Sequence, residues 1–227
     1  MKKFNKKKEE YKGMNIYTYN SENFMLLRKV LNKEYLVEKE FKNDKRTYVA
    51  RILIGNKNYI LKRPFNNKLL KKLISIFKKG ESLTVLDNVD TLKNEDFIEL
   101  VEIIGAGVKR RNFIIKEEFY LMKYVEGEVL LEDTNLQKIL MVSIKIHRFG
   151  RYHGDCNPYN FLFDRNKVYI LDTKLKKMMF GNYRAHYDIL TLMKYFKEKI
   201  EYPYKKNIFY YIAYLVRKFR DKKFKIF

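Results

Sequence analysis

The segment His153-Gly154-Asp155-Cys156-Asn157-Pro158-Tyr159-Asn160-Phe161-Leu162-Phe163-Asp164, followed by Val168-Tyr169-Ile170-Leu171-Asp172, constrains this chain more than any other stretch. Two apolar runs, Phe161 to Phe163 and Val168 to Leu171, flank the turn Asp164-Arg165-Asn166-Lys167 and predict a short antiparallel hairpin. Burying that hairpin anchors the loop before it and returns Asp172 to the side of Asn160. Three polar side chains are then gathered. Asp155 can orient a hydroxyl and accept its proton, while Asn160 and Asp172 offer an amide and a carboxylate to one divalent cation.

This is the constellation that phosphoryl transfer from ATP requires, with Asp155 as the catalytic base and Asn160 and Asp172 as ligands of Mg²⁺. Such a site needs a lysine on the third strand of an ATP-binding sheet. Glu34 to Phe41, Thr47 to Ile54 and Tyr59 to Arg63 read as three antiparallel strands, with Gly55-Asn56 in the second turn, and Lys62 falls on the third. Its expected partner is a helical glutamate, Glu81 at the head of a helix running to about Lys93, with Glu95 and Glu99 as alternatives. The first turn, Lys42 to Arg46, has no glycine to wrap phosphates, so Lys45 and Arg46 are expected to supply charge instead. Phe119 to Gly127 reads as a strand leading into a hinge, with adenine meeting the backbone from Met122 to Tyr124.

Other periodicities complete the outline. Asn20 to Leu31 predicts a short helix capped by Ser21, and Asn66 to Lys78 an amphipathic one that buries Leu69, Leu70, Leu73, Ile74 and Phe77. Leu136 to Phe149 predicts a buried helix closed by Gly150, on which His147 reads as a packed structural histidine. Asp188 opens a further helix and is placed to prop the Asp155 loop. The expected fold is α+β and bilobal, like a protein kinase: a flexible basic arm over 1–14, a small antiparallel-sheet N-lobe over 15–123, and a mainly helical C-lobe over 124–227.

Charge narrows the partners. The chain carries 49 Lys and Arg against 27 Asp and Glu, a net +22, with hydrophobic residues at 46%. It is therefore a folded protein drawn to something anionic. No zinc-finger spacing or RNA-recognition signature accompanies the charge, so nucleic acid is not the expected partner. Residues 203–227 instead interleave aromatic and basic side chains, which suits an anionic lipid surface or a final core helix with a basic tail. No stretch has the length of a spanning helix or the pattern of a signal peptide, and the single cysteine, Cys156, suits a reducing compartment.

On the strand of Lys62, the His153-Gly154-Asp155 loop, Asn160, Asp172 and Asp188, the chain resembles the lipopolysaccharide core heptose(II) kinases, the RfaY-like branch of the protein-kinase-like superfamily. Kdo kinases, Bud32-like protein kinases and aminoglycoside phosphotransferases share the same loop. The resemblance implies an ATP- and Mg²⁺-dependent enzyme that phosphorylates a heptose of the lipopolysaccharide inner core. It also implies a cytoplasmic protein held peripherally at the inner membrane. Two features depart from protein kinases: Thr173-Lys174 replaces the Phe-Gly after the metal-binding aspartate, and Gly154 stands where many have arginine. Both argue against a phosphorylation-switched loop. A non-catalytic binding module is the remaining alternative, which the intact Lys62, Asp155, Asn160 and Asp172 disfavour.

Overall fold

The computed structural model divides the chain between Val125 and Glu126, and each part has its own framework. Residues 6–65, 69–93, 97, 99–165, 167–179 and 181–224 are described, without the side chains of residues 69–71, 93 and 222–224. The first five residues, Asn66, Glu95, Ile98 and the Leu69 and Leu70 side chains thus lie outside the described residues. The class is α+β, with the large antiparallel sheet in the N-terminal part and mainly helices in the C-terminal part.

In the N-terminal unit, β1 (Lys7–Tyr11) and β2 (Met14–Thr18) precede α1 (Ser21–Asn32). Then come β3 (Leu36–Asn43), β4 (Thr47–Ile54), β5 (Lys57–Pro64), α2 (Leu69–Phe77), α3 (Glu81–Lys93), β6 (Ile103–Arg111) and β7 (Ile114–Lys123). The strands form one seven-stranded sheet in the order β1-β2-β6-β7-β5-β4-β3. Period-two alternation builds its core: Ala50, Ile52, Ile54, Tyr59, Leu61, Ile104, Phe119 and Leu121 are buried in one cluster with Met14 and Ile16 and with Leu27 and Val30 of α1. Gly105 belongs to that side because a Cβ there would stand 2.6 Å from the Tyr17 carbonyl oxygen and 3.1 Å from Leu27.

Three expectations are corrected here. The basic arm is structured from Lys7 onward, because Lys12 and Gly13, both at positive φ, make a tight turn that folds β1 back on β2. Lys7 and Lys8 of β1 stay exposed on an edge strand, while Met14, Ile16 and Thr18 of β2 are buried. The cap of α1 is Asn20 and not Ser21, since the Asn20 side chain accepts the Asn23 N–H at 2.8 Å. On α2, Leu73, Ile74 and Phe77 are exposed, the last at 90%, so the described part of that apolar stripe is not core.

The C-terminal unit contains α4 (Asp133–Arg148), β8 (Arg151–Tyr152), a 3-10 turn (Pro158–Asn160), β9 (Phe161–Asp164), β10 (Lys167–Ile170), β11 (Lys176–Lys177), α5 (Tyr183–Leu192), a second 3-10 turn (Met193–Tyr195) and α6 (Ile208–Phe224). The expected hairpin is present as β9 paired with β10, with Phe161 and Phe163 buried. β11 returns to pair with β8, so the chain after Asp172 is tied to the strand that precedes the loop. Asp188 lies inside α5 rather than at its start, which removes a helix-end role for its charge.

Gly105→Ala is expected to destabilise the protein by about 1–3 kcal/mol in urea unfolding, because the new methyl group meets backbone that cannot rotate away.

Candidate active site

The loop from His153 to Asn160 is organised by a buried carboxylate. Asp188 is completely buried on α5. Its Oδ2 accepts the His153 N–H at 2.7 Å and its Oδ1 accepts the Gly154 N–H at 3.0 Å. The same Oδ2 lies 3.3 Å from His147 Nε2, while His147 Nδ1 lies 2.7 Å from the Tyr204 hydroxyl. A carboxylate only accepts, so Nε2 carries the His147 proton and Nδ1 accepts from Tyr204. His147 is the structural histidine expected, with the added task of holding Asp188.

His153 is buried against the Phe161 ring, 5.1 Å between centroids, and its Nδ1 accepts the Asp155 N–H at 3.3 Å. Burial holds its pKa below the ordinary value of 6.5, against opposing pulls from Asp188, Asp155 and Asp172. The ring is therefore a neutral support under the loop. Its carbonyl oxygen accepts from Thr173 Oγ1 at 3.1 Å. Thr173, where protein kinases carry phenylalanine, thus fastens the chain after Asp172 to the loop itself.

Asp155 is exposed, and Asn160 is tied beside it by an Asn160 Nδ2 to Asp155 carbonyl bond of 2.9 Å. Because the amide nitrogen is committed, Asn160 Oδ1 is the atom left to face a cation. The Leu171 N–H donates to the Asn160 carbonyl at 2.7 Å, bringing the exposed Asp172 to the same place. Asp172 and Leu175 hold left-handed conformations, φ +41° and +43°. Such a conformation costs roughly 1–2 kcal/mol for a residue with a side chain, and the β8–β11 pairing and the Thr173 anchor enforce it. Among the described residues no three His, Cys, Asp or Glu side chains converge as a metal cage. One amide oxygen and one carboxylate are instead the donors Mg²⁺ takes when phosphates complete its shell.

Cys156 is fully buried, 3.1 Å from Ser143 Oγ, and burial pushes its thiol pKa well up. It is packing, not a nucleophile. Arg184 of α5 is exposed, with its guanidinium 5.4 Å from the centre of the Tyr152 ring and 5.2 Å from that of Tyr183. Tyr152 is also the ring beside Gly154, so a cation stands next to the loop.

In the N-terminal unit, Lys62 is buried on β5 between Val49 of β4 and Tyr120 of β7, its Nζ 5.9 Å from the Tyr120 ring. It points to the sheet face opposite the α1 cluster. Glu118, two residues before Tyr120, shares that face and is also buried; its Oε2 accepts the Ser82 N–H at 2.8 Å. Glu118 therefore caps α3, and Gly80 leaves it room, since a Cβ there would sit 2.8 Å from the same oxygen. Glu81, the expected partner of Lys62, is the half-buried first residue of α3, and Glu99 is half-buried too. Glu118 is not among the expected glutamates, although counting back by twos from Met122 puts it on the Lys62 face.

Two other expectations change. Met122 pairs with Ile60 on one side and Ile103 on the other, and the Lys123 N–H donates to Glu102 O at 2.9 Å. Met122 is thus a sheet residue paired on both sides, rather than part of an open connecting segment. The Tyr124 hydroxyl itself accepts from Arg51 at 3.3 Å. In the β3–β4 turn, Asp44 Oδ1 accepts the Arg46 and Thr47 N–H groups at 2.7 and 2.8 Å. These bonds hold the Asp44 pKa below its usual range. Two backbone donors of the turn are thus occupied, and the Lys45 and Arg46 side chains stand exposed.

No protein-family model and no curated protein matches the sequence. Among solved structures, the protein is similar to the kinase domain of Mycobacterium tuberculosis PknI. One single-mutant form gives a TM-score of 0.46 at 13% identity, covering 71% of this chain and 73% of that chain. A double mutant gives 0.46 at 14% identity, covering 70% and 73%.

Asp188→Asn replaces an acceptor by an amide that must turn hydrogens toward the loop N–H groups, and is expected to cost about 2–3 kcal/mol in urea unfolding. The unfolded chain protonates His153 near pH 6.5 and the folded chain only below that, so stability is full above pH 6.5 and falls on acidification. Melting temperature should drop from pH 7 to pH 5, with a shallower slope in His153→Asn.

Proposed function

We propose that the protein is an ATP-dependent phosphotransferase that phosphorylates a sugar hydroxyl of the lipopolysaccharide inner core, in the first instance a heptose. The observation that carries the reaction class is the bracing of the loop. Asp188 holds its start, Asn160 is bonded to the Asp155 carbonyl, and Asp172 is held at positive φ next to Asn160. A structural loop has no need to expose two carboxylates and an amide at the cost of backbone strain.

In this reading the Asp155 carboxylate orients the acceptor hydroxyl and takes its proton as the oxygen bonds to the γ-phosphorus. The bond from that phosphorus to the β–γ bridging oxygen breaks, and ADP leaves with the electron pair. Asn160 and Asp172 would hold Mg²⁺. When bound, that ion neutralises charge on the phosphates. Lys62 is proposed as the contact to the α- and β-phosphates of ATP, steadied by a carboxylate at Glu118 or Glu81.

An anionic glycan acceptor is supported by three features. The chain carries +22, Arg184 stands exposed beside Gly154, and only residues 173–182 separate Asp172 from α5. So short a segment suits a small acceptor better than an extended polypeptide. The heptose assignment itself comes from the family resemblance, with Kdo as the neighbouring possibility.

The test is phosphate transfer from labelled ATP and Mg²⁺ to purified lipopolysaccharide core lacking its heptose phosphate. Asp155→Ala is expected to lower kcat by about 10²–10⁴-fold while keeping the thermal shift induced by Mg-ATP. Retention of a tenth of the activity would overturn the base assignment. Transfer to a Kdo acceptor alone would move the acceptor and leave the reaction class intact.

A further inference from the structure

α6 is held to the C-terminal unit by one side. Asn207 caps it, accepting the Tyr210 N–H at 3.2 Å, and Phe209 packs where a Cβ on Gly181 would stand 2.4 Å from its ring. Ala213 is fully buried, Arg220 donates to the Tyr187 hydroxyl at 2.9 Å, the Arg217 guanidinium lies over the Tyr187 ring, and Asp221 is ion-paired with Lys194. These contacts determine which way the helix faces.

The opposite side is apolar and uncovered. Ile208, Ile212, Leu215, Val216 and Phe219 are 69, 43, 51, 43 and 67% exposed, with Tyr211 at the margin. At 100° per residue the five fall within one arc of about 100°, a continuous stripe along roughly three turns of helix. A helix that packs on its neighbour through its polar and aromatic side, and turns its branched aliphatic side outward, has inverted the usual arrangement.

The surroundings are cationic. From Lys194 to Phe227 there are eleven Lys and Arg against three acids, and Lys205, Lys206, Lys218 and Arg220 are exposed at the end or margins of the stripe. Beside the helix lies a groove of about 650 Å³ whose lining includes Lys199, Lys206 and Lys218, the acids Glu201 and Asp221, and aromatic and aliphatic side chains between them. No helix among the described residues is long and apolar enough to cross a membrane.

We propose that α6 docks the protein on an anionic phospholipid bilayer. The helix lies in the plane of the interface, its aliphatic stripe enters the acyl boundary, and the flanking lysines, arginines and tyrosines sit among the headgroups. Charge complementarity selects this occupant: a protein partner would need its own acidic rim, whereas an anionic leaflet supplies negative charge all around the stripe. A second copy of this chain would bring a second set of these cations. The inference stands on α6 alone and survives or fails independently of the phosphotransferase reading.

The experiment is co-sedimentation of the full chain with vesicles of phosphatidylcholine and phosphatidylglycerol at 7:3, and with phosphatidylcholine alone, in 0.15 M salt. Wild type is expected to sediment with the anionic vesicles, and Ile212→Glu/Leu215→Glu to lose at least tenfold in apparent affinity. The replaced side chains are exposed, so circular dichroism and the melting temperature of the variant should match wild type. Wild type left in the supernatant overturns the proposal. So does a double variant that binds as well as wild type, which would reduce the effect to charge. A dimer by light scattering that the double variant abolishes, without vesicle binding by wild type, would reassign the stripe to self-association.

Discussion

A buried, unpaired carboxylate is one of the least tolerable groups in a protein interior, and the C-terminal unit is arranged to make Asp188 tolerable. Two loop N–H groups and one imidazole N–H converge on it, with a tyrosine hydroxyl behind the imidazole. Satisfying the charge and shaping the loop are one event: the backbone at His153 and Gly154 must turn its N–H groups inward, which sends Asp155 outward. Everything chemically interesting in this half follows from that inversion.

The consequences propagate through few bonds. Asn160 closes the far end of the loop on the Asp155 carbonyl, Leu171 closes the hairpin on Asn160, and Thr173 closes the returning chain on His153. Each closure is local and cheap. Together they hold Asp172 in a conformation that an isolated peptide would leave. The buried aromatic pair Phe161 and Phe163 supplies the anchoring that lets the polar groups be presented at the surface.

In the N-terminal unit the same economy works in a sheet. Lys62 and Glu118 are placed on one inner face by strand alternation, and Glu118 also serves the donors at the start of α3. The β3–β4 turn differs from what a nucleotide-binding glycine loop would offer. Asp44 takes two of its backbone donors, so side chains would carry more of any grip on phosphate there. A long cationic side chain can do this, but with more conformational freedom to lose than a preformed backbone cradle.

The local signals proved legible wherever a residue's role is decided by its neighbours in the chain. The period-two runs, the Gly55-Asn56 turn, the hairpin of Phe161 to Leu171 and the spacing of Asp155, Asn160 and Asp172 all belong to short-range steric and hydrophobic patterning, and the sequence by itself determined them. Tertiary structure decided the rest. Which glutamate caps α3 depends on strand register, and where Met122 spends its backbone depends on two flanking strands. Whether an amphipathic face is buried is not a local property either: the stripe of α2 reads as core and α6 as either a lipid-facing or a core helix, yet Phe77 and Phe219 both face outward. Periodicity tells a helix which side is apolar, and only the packing of distant segments settles whether that side meets protein.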